Sequence, residues 1–93
     1  MISRYKDESL NIIFEYEDGI IPDGYNAKMK LIGKDIVIEK TLDISEDGTY
    51  FSLTIGTDEM QNLSGNYDLI VTLYNEDTNF GQRILNTVLE VKE

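Results

Sequence analysis

Apolar and polar residues alternate with a period of two through most of this chain, the spacing that sends successive side chains to opposite faces of a β-strand. Leu10, Ile12, Phe14 and Tyr16 alternate with Asn11, Ile13, Glu15 and Glu17, and the turn dipeptide Asp18-Gly19 closes the run. Ile20-Ile21-Pro22-Asp23-Gly24 reads as a loop, because Pro22 lacks an amide donor and Gly24 tolerates positive φ. Tyr25, Ala27, Met29 and Leu31 then point to a core while Asn26, Lys28 and Lys30 point to water, and Gly33-Lys34-Asp35 supplies a short reversal into a hairpin. Ile36, Ile38 and Leu42 share one face of the returning strand, with Val37, Glu39 and Thr41 on the other. A polar loop from Asp43 through Ser45-Glu46-Asp47-Gly48 follows, and Phe51, Leu53 and Ile55 resume the alternation.

One segment departs from this period. Thr57-Asp58-Glu59-Met60-Gln61-Asn62-Leu63 has a capping residue, acids in a first turn and good helix formers, and Ser64-Gly65 stops it. It predicts a short helical crossover near residues 57–63. Tyr67, Leu69, Val71 and Leu73 form the strongest strand, the loop Asn75-Glu76-Asp77-Thr78-Asn79 follows, and a last strand runs from about Gln82 to Val91. Short strands with turn chemistry between them, and no helix long enough for a parallel crossover, predict one all-β domain over residues 1–93. The expected architecture is an antiparallel immunoglobulin-like β-sandwich of about six to eight strands.

Composition narrows the function classes. The 93 residues contain neither cysteine nor histidine, which removes thiolate nucleophiles, disulfides, imidazole or thiolate metal ligands, and the side chain that titrates near neutral pH. No catalytic residue, cofactor or metal site is therefore assigned, and the chain is read as a non-enzyme. The nearest approach to a cation loop, Ser45-Glu46-Asp47-Gly48, lacks the alternating oxygen ligands of a calcium site and reads as a hairpin turn with Gly48 at positive φ. A net charge of −10 repels phosphate backbones and anionic headgroups, so nucleic acid and membrane surfaces are not expected partners. The first residues carry two bases with no long apolar run behind them, and no stretch reaches the roughly 20 apolar residues of a membrane span. The expected place of synthesis is the cytoplasm.

The tyrosines Tyr16, Tyr25 and Tyr67 fall in phase with core positions, so they read as core or core edge and not as a sugar-binding platform. Pairing the last two strands with Leu69 opposite Leu89, Leu73 opposite Leu85 and Tyr67 opposite Val91 places Ile70 opposite Val88 and Tyr74 opposite Ile84 on the other face. That makes an apolar ridge of Ile70, Tyr74, Ile84 and Val88 on the face expected to be wet. Either a loop or the N-terminal segment covers it, or it is a partner surface. Ile2 and Tyr5, in the segment Met1 to Lys6, are further candidates, able to add a strand to a neighbour.

The order Ile21-Pro22-Asp23-Gly24, a strand, Asp47-Gly48-Thr49-Tyr50-Phe51-Ser52-Leu53, a short polar turn and Leu63-Ser64-Gly65-Asn66-Tyr67 resembles the small β-sandwich modules of tailed-phage virions. Similar patterns occur in baseplate upper protein N-terminal domains and in head auxiliary and fibre-anchoring proteins. The likeness runs from about Leu10 to Val91 and lacks the fibre or receptor-binding part that longer members carry. It implies a bacteriophage virion accessory subunit, made in the host cytoplasm, that decorates a head or joins tail or fibre parts by binding other virion structural proteins; self-association stays open. A carbohydrate-binding or adhesive sandwich module is the alternative class, and a small regulatory binder of a host protein the third.

Overall fold

The computed structural model describes residues 1–93. In chain order the elements are β1 (Ile2–Tyr5), β2 (Leu10–Glu15), β3 (Asn26–Ile32), β4 (Val37–Thr41), β5 (Asp43–Ile44), β6 (Tyr50–Ile55), α1 (Thr57–Met60), β7 (Gly65–Asn75) and β8 (Phe80–Lys92). They form a five-stranded sheet, β1-β8-β7-β3-β4, and a three-stranded sheet, β2-β6-β5. Every pairing is antiparallel except β1 with β8, which is parallel. The inner faces of both sheets contribute to one core of 17 buried apolar residues, so the chain is all-β with its two layers closed over a shared interior.

The alternation in the sequence is realised where a strand is flanked on both sides. Ala27, Met29 and Leu31 of β3, and Tyr67, Leu69, Val71 and Leu73 of β7, are all buried, while Lys28, Lys30, Ile70 and Thr72 turn outward. Leu42 carries the chain from one sheet to the other: its amide still bonds the Ala27 carbonyl at 2.9 Å, its side chain is buried, and the next residue belongs to β5. The two residues of β5 lie within the segment expected to be a loop.

The polar turn after β5 is clamped by its own side chains. Asp47 Oδ1 accepts from the Ser45 hydroxyl at 2.8 Å and the Thr49 hydroxyl at 2.7 Å, and Ser45 Oγ accepts the Thr49 and Tyr50 amides. Those donors, Thr49 first and Ser45 next, hold the Asp47 carboxyl below the usual carboxylate range. Gly48 takes φ +71°, as the hairpin reading requires.

Between β6 and β7 the chain makes the expected helical crossover, with α1 followed by a turn that buries Met60 and Leu63. This crossover closes one flank of the molecule. Lys40 occupies an inward-phased position of β4, at the edge of its sheet, and its ammonium reaches across to the other layer. Nζ bonds Glu59 Oε1 at 2.7 Å, Glu59 Oε2 at 2.9 Å and the Thr54 carbonyl at 3.0 Å. The hydrogen bond from Lys40, aided by the Gly56 amide, lowers the Glu59 carboxyl from its ordinary value of 4.5. Stability from a lowered carboxyl is present above the unfolded value and lost as pH falls through the folded one. Lys40→Met, which keeps the aliphatic stem, is expected to cost no more than about 1 kcal/mol at neutral pH because the pair is partly exposed. Denaturant melts of both proteins from pH 7 downward check this: the gap should narrow below about pH 4.5.

The last hairpin differs from the register expected on hydrophobic matching. Tyr67 pairs with Leu89 and Leu69 with Thr87, two residues away from the expected partners, so the strands begin at the Asn75–Phe80 pair and the loop shrinks to residues 76–79. Asn75 enables the short loop: its buried side-chain oxygen accepts the Asp77 and Thr78 amides at 2.9 and 3.3 Å, while Asn79 adopts φ +55°. The longer hairpin gains main-chain hydrogen bonds that a wide loop forgoes. It also demands one extra residue in β8, because partners jump from Val71–Leu85 to Thr72–Arg83 and leave Ile84 in a bulge.

Candidate interaction surface

The bulge at Ile84 disperses the expected outer ridge. Ile70 sits between Lys30 and Asn86, Val88 is beside Asp68, and Tyr74 lies between Asn26 and Gly81 with the Lys28 ammonium 5.1 Å from its ring centre. All three are half-buried on the outer face, separated by polar neighbours. Ile84 is turned toward the core instead, so the four residues do not form one surface.

The N-terminal candidates also move. β1 is already a strand of its own sheet, with Ile2 beside Leu89 and Tyr5 beside Lys92. Ile2 points inward and packs on the core, whereas Tyr5 stays half-exposed on the outer face under the Lys92 ammonium, 5.5 Å from its ring centre. The segment expected to reach out to a neighbour is committed within the chain. Its four residues alternate too briefly to be read as a strand of this sheet, and its partner stands at the far end of the sequence.

What these shifts bring together is a groove. β1 covers only Leu89–Lys92 of β8, so residues 80–88 have a neighbour on one side alone. Across the interlayer space lies β2, paired with β6 and with nothing on its other edge. Between them is an open cleft of about 560 Å³. Phe51 forms its floor, with Phe14 and Tyr16 packed around it at ring-centre distances of 5.3 and 6.1 Å. Ile12 and Phe14 from β2, Tyr16 just beyond its end, Ile84 and Leu85 from β8, and Ile2 from β1 line the walls. These are inward-phased or inward-turned side chains, yet every one is only half-buried, because no strand lies over them on this flank.

The rim is acidic. Glu15, Glu17 and Asp18 stand on the β2 side, and Arg83 is the single base among the lining residues. None of these four takes part in the molecule's five ion pairs, so their charges face solvent unpaired. The groove thus combines an apolar floor, a free main-chain edge and unpaired rim charges. Of the candidate partner residues in the sequence, Ile2 and Ile84 belong to this groove; Ile12 and Phe14 enter the sequence reading only through their alternation, Leu85 only as the partner of Leu73, and Tyr16 as core or core edge. The signal that marks them is that strands in phase with the core lie at sheet edges, and edges are set by topology. The chain matches no protein-family model and no curated protein sequence.

Proposed function

We propose that this chain is a non-enzymatic structural and interaction module, with a bacteriophage virion as its setting and neighbouring virion proteins as its partners. The single observation behind the interaction reading is the half-covered groove between β2 and β8, a binding surface without chemistry-bearing side chains other than carboxylates, Arg83 and the Tyr16 hydroxyl. The virion setting rests on the resemblance carried by Asp47-Gly48-Thr49-Tyr50-Phe51 and Leu63-Ser64-Gly65-Asn66-Tyr67.

An immunoglobulin-like topology belongs to the same proposal. Three features support it: a strand order of β1-β8-β7-β3-β4 facing β2-β6-β5, a first strand parallel to the last, and a tyrosine near the start of the penultimate strand whose hydroxyl bonds the main chain just upstream. The Ser64 amide donates to Tyr67 Oη at 3.0 Å. Such sandwiches serve as adaptors because their loops and edges vary while the core holds.

The test is a mass-spectrometric inventory of purified particles from cells that produce the chain. Recovery at a copy number comparable with known structural subunits is the expected result. Absence from particles, together with saturable binding on a glycan array, would replace this reading with the carbohydrate-binding one.

A further inference from the structure

We infer that the groove between β2 and β8 accepts an extended, basic-flanked segment of a partner protein as an added strand along β8 residues 80–88. This rests on the interaction reading above and names the partner's chemistry. Main-chain groups on an open strand edge are satisfied most fully by another strand, and the side chains of that strand alternate into and out of the sheet.

Apart from β2, which forms the opposite wall of this same groove, the other edges of the molecule are short or charged, whereas this one, bulged at Ile84, is long and carries a single charge. β5 has two residues, β1 has four, and β4 carries Glu39 and Lys40, both held in ion pairs. The uncovered stretch of β8 is Phe80-Gly81-Gln82-Arg83-Ile84-Leu85-Asn86-Thr87-Val88, with one charge and no proline. Nine residues offer an edge of roughly 30 Å, enough for a segment with two or three inward side chains over Phe14, Phe51 and Leu85.

Charge selects the occupant. Three unpaired carboxylates against one guanidinium attract Lys or Arg flanking the inserted residues. A second copy of this chain is disfavoured, since each copy carries −10 and its first strand is already bonded to its own β8.

The probe is a synthetic peptide, Lys-Lys-Val-Thr-Val-Thr-Val-Lys-Lys, titrated into the isotopically labelled full chain and followed by amide chemical shifts. Two controls are the same peptide with Glu for every Lys, and one with Pro for the central Val. The expected result is saturable shifts concentrated in residues 80–88 and β2, at least tenfold weaker binding of the acidic peptide, and none of the proline peptide. Glu17→Lys/Asp18→Lys, at two exposed positions, should retain the native spectrum and weaken the basic peptide at least tenfold. No saturable binding, shifts centred elsewhere, equal binding of the acidic peptide, or no effect of the double substitution on affinity overturns the inference. Peptide failure with the chain still present in particles removes the groove alone, whereas peptide binding with the chain absent from particles removes the virion setting alone.

Discussion

Leu69→Ala should lower the unfolding free energy by about 2–5 kcal/mol, the range for emptying a well-packed aliphatic site. Leu69 is fully buried in β7, the middle strand of the five, with β3 on one side and β8 on the other. Neighbours pinned by two ladders have little freedom to collapse into the space, so most of the cavity should persist. For a domain of this size the loss corresponds to a fall in Tm of roughly 10 °C or more. Ile70→Ala, one residue away on the outer face, should cost much less because that side chain is only half-buried. Denaturant melts of the two variants check the face assignment, and equal losses would contradict it.

Gly33→Ala is expected to destabilise by about 1–3 kcal/mol, although the site is neither deeply buried nor at positive φ. A methyl group there would stand 2.6 and 2.8 Å from two ring carbons of Tyr67, which itself lies over the β3–β4 turn closed by the Gly33 amide to the Ile36 carbonyl at 2.8 Å. Tyr67 has little room to yield, because its ring is buried and its hydroxyl is held by the Ser64 amide. The cost therefore belongs to the pair. In a Tyr67→Leu background, itself less stable, adding Gly33→Ala should cost little further, and the double-mutant cycle should give a coupling of about 1 kcal/mol or more. Additive losses would locate the effect in the turn's backbone instead.

Both predictions follow from close approaches between residues distant in the chain, and that separates what was legible beforehand from what was not. The all-β class, the inward faces of β3, β6 and β7, the turns at Gly33 and Gly48, and the crossover at Thr57–Met60 follow from local periodicity and turn chemistry. These depend on φ/ψ preference and on which side chains leave water, properties carried within a few residues. Register, edges and cover are decided elsewhere. Hydrophobic matching placed Tyr74 opposite Ile84, but Asn75 and Asn79 make a tighter loop possible, and the accommodating bulge turns Ile84 inward. Lys40 is tied to Glu59 only because the assembled sheets set the crossover opposite its inward-phased position, which makes it the link between layers at one flank. At the other flank, Ile12, Phe14 and Tyr16 have the spacing of core residues, which fixes their direction and not what lies above them. The short parallel β1 covers only the last residues of β8, so only the assembled sheets decide that this part of the interior is left open.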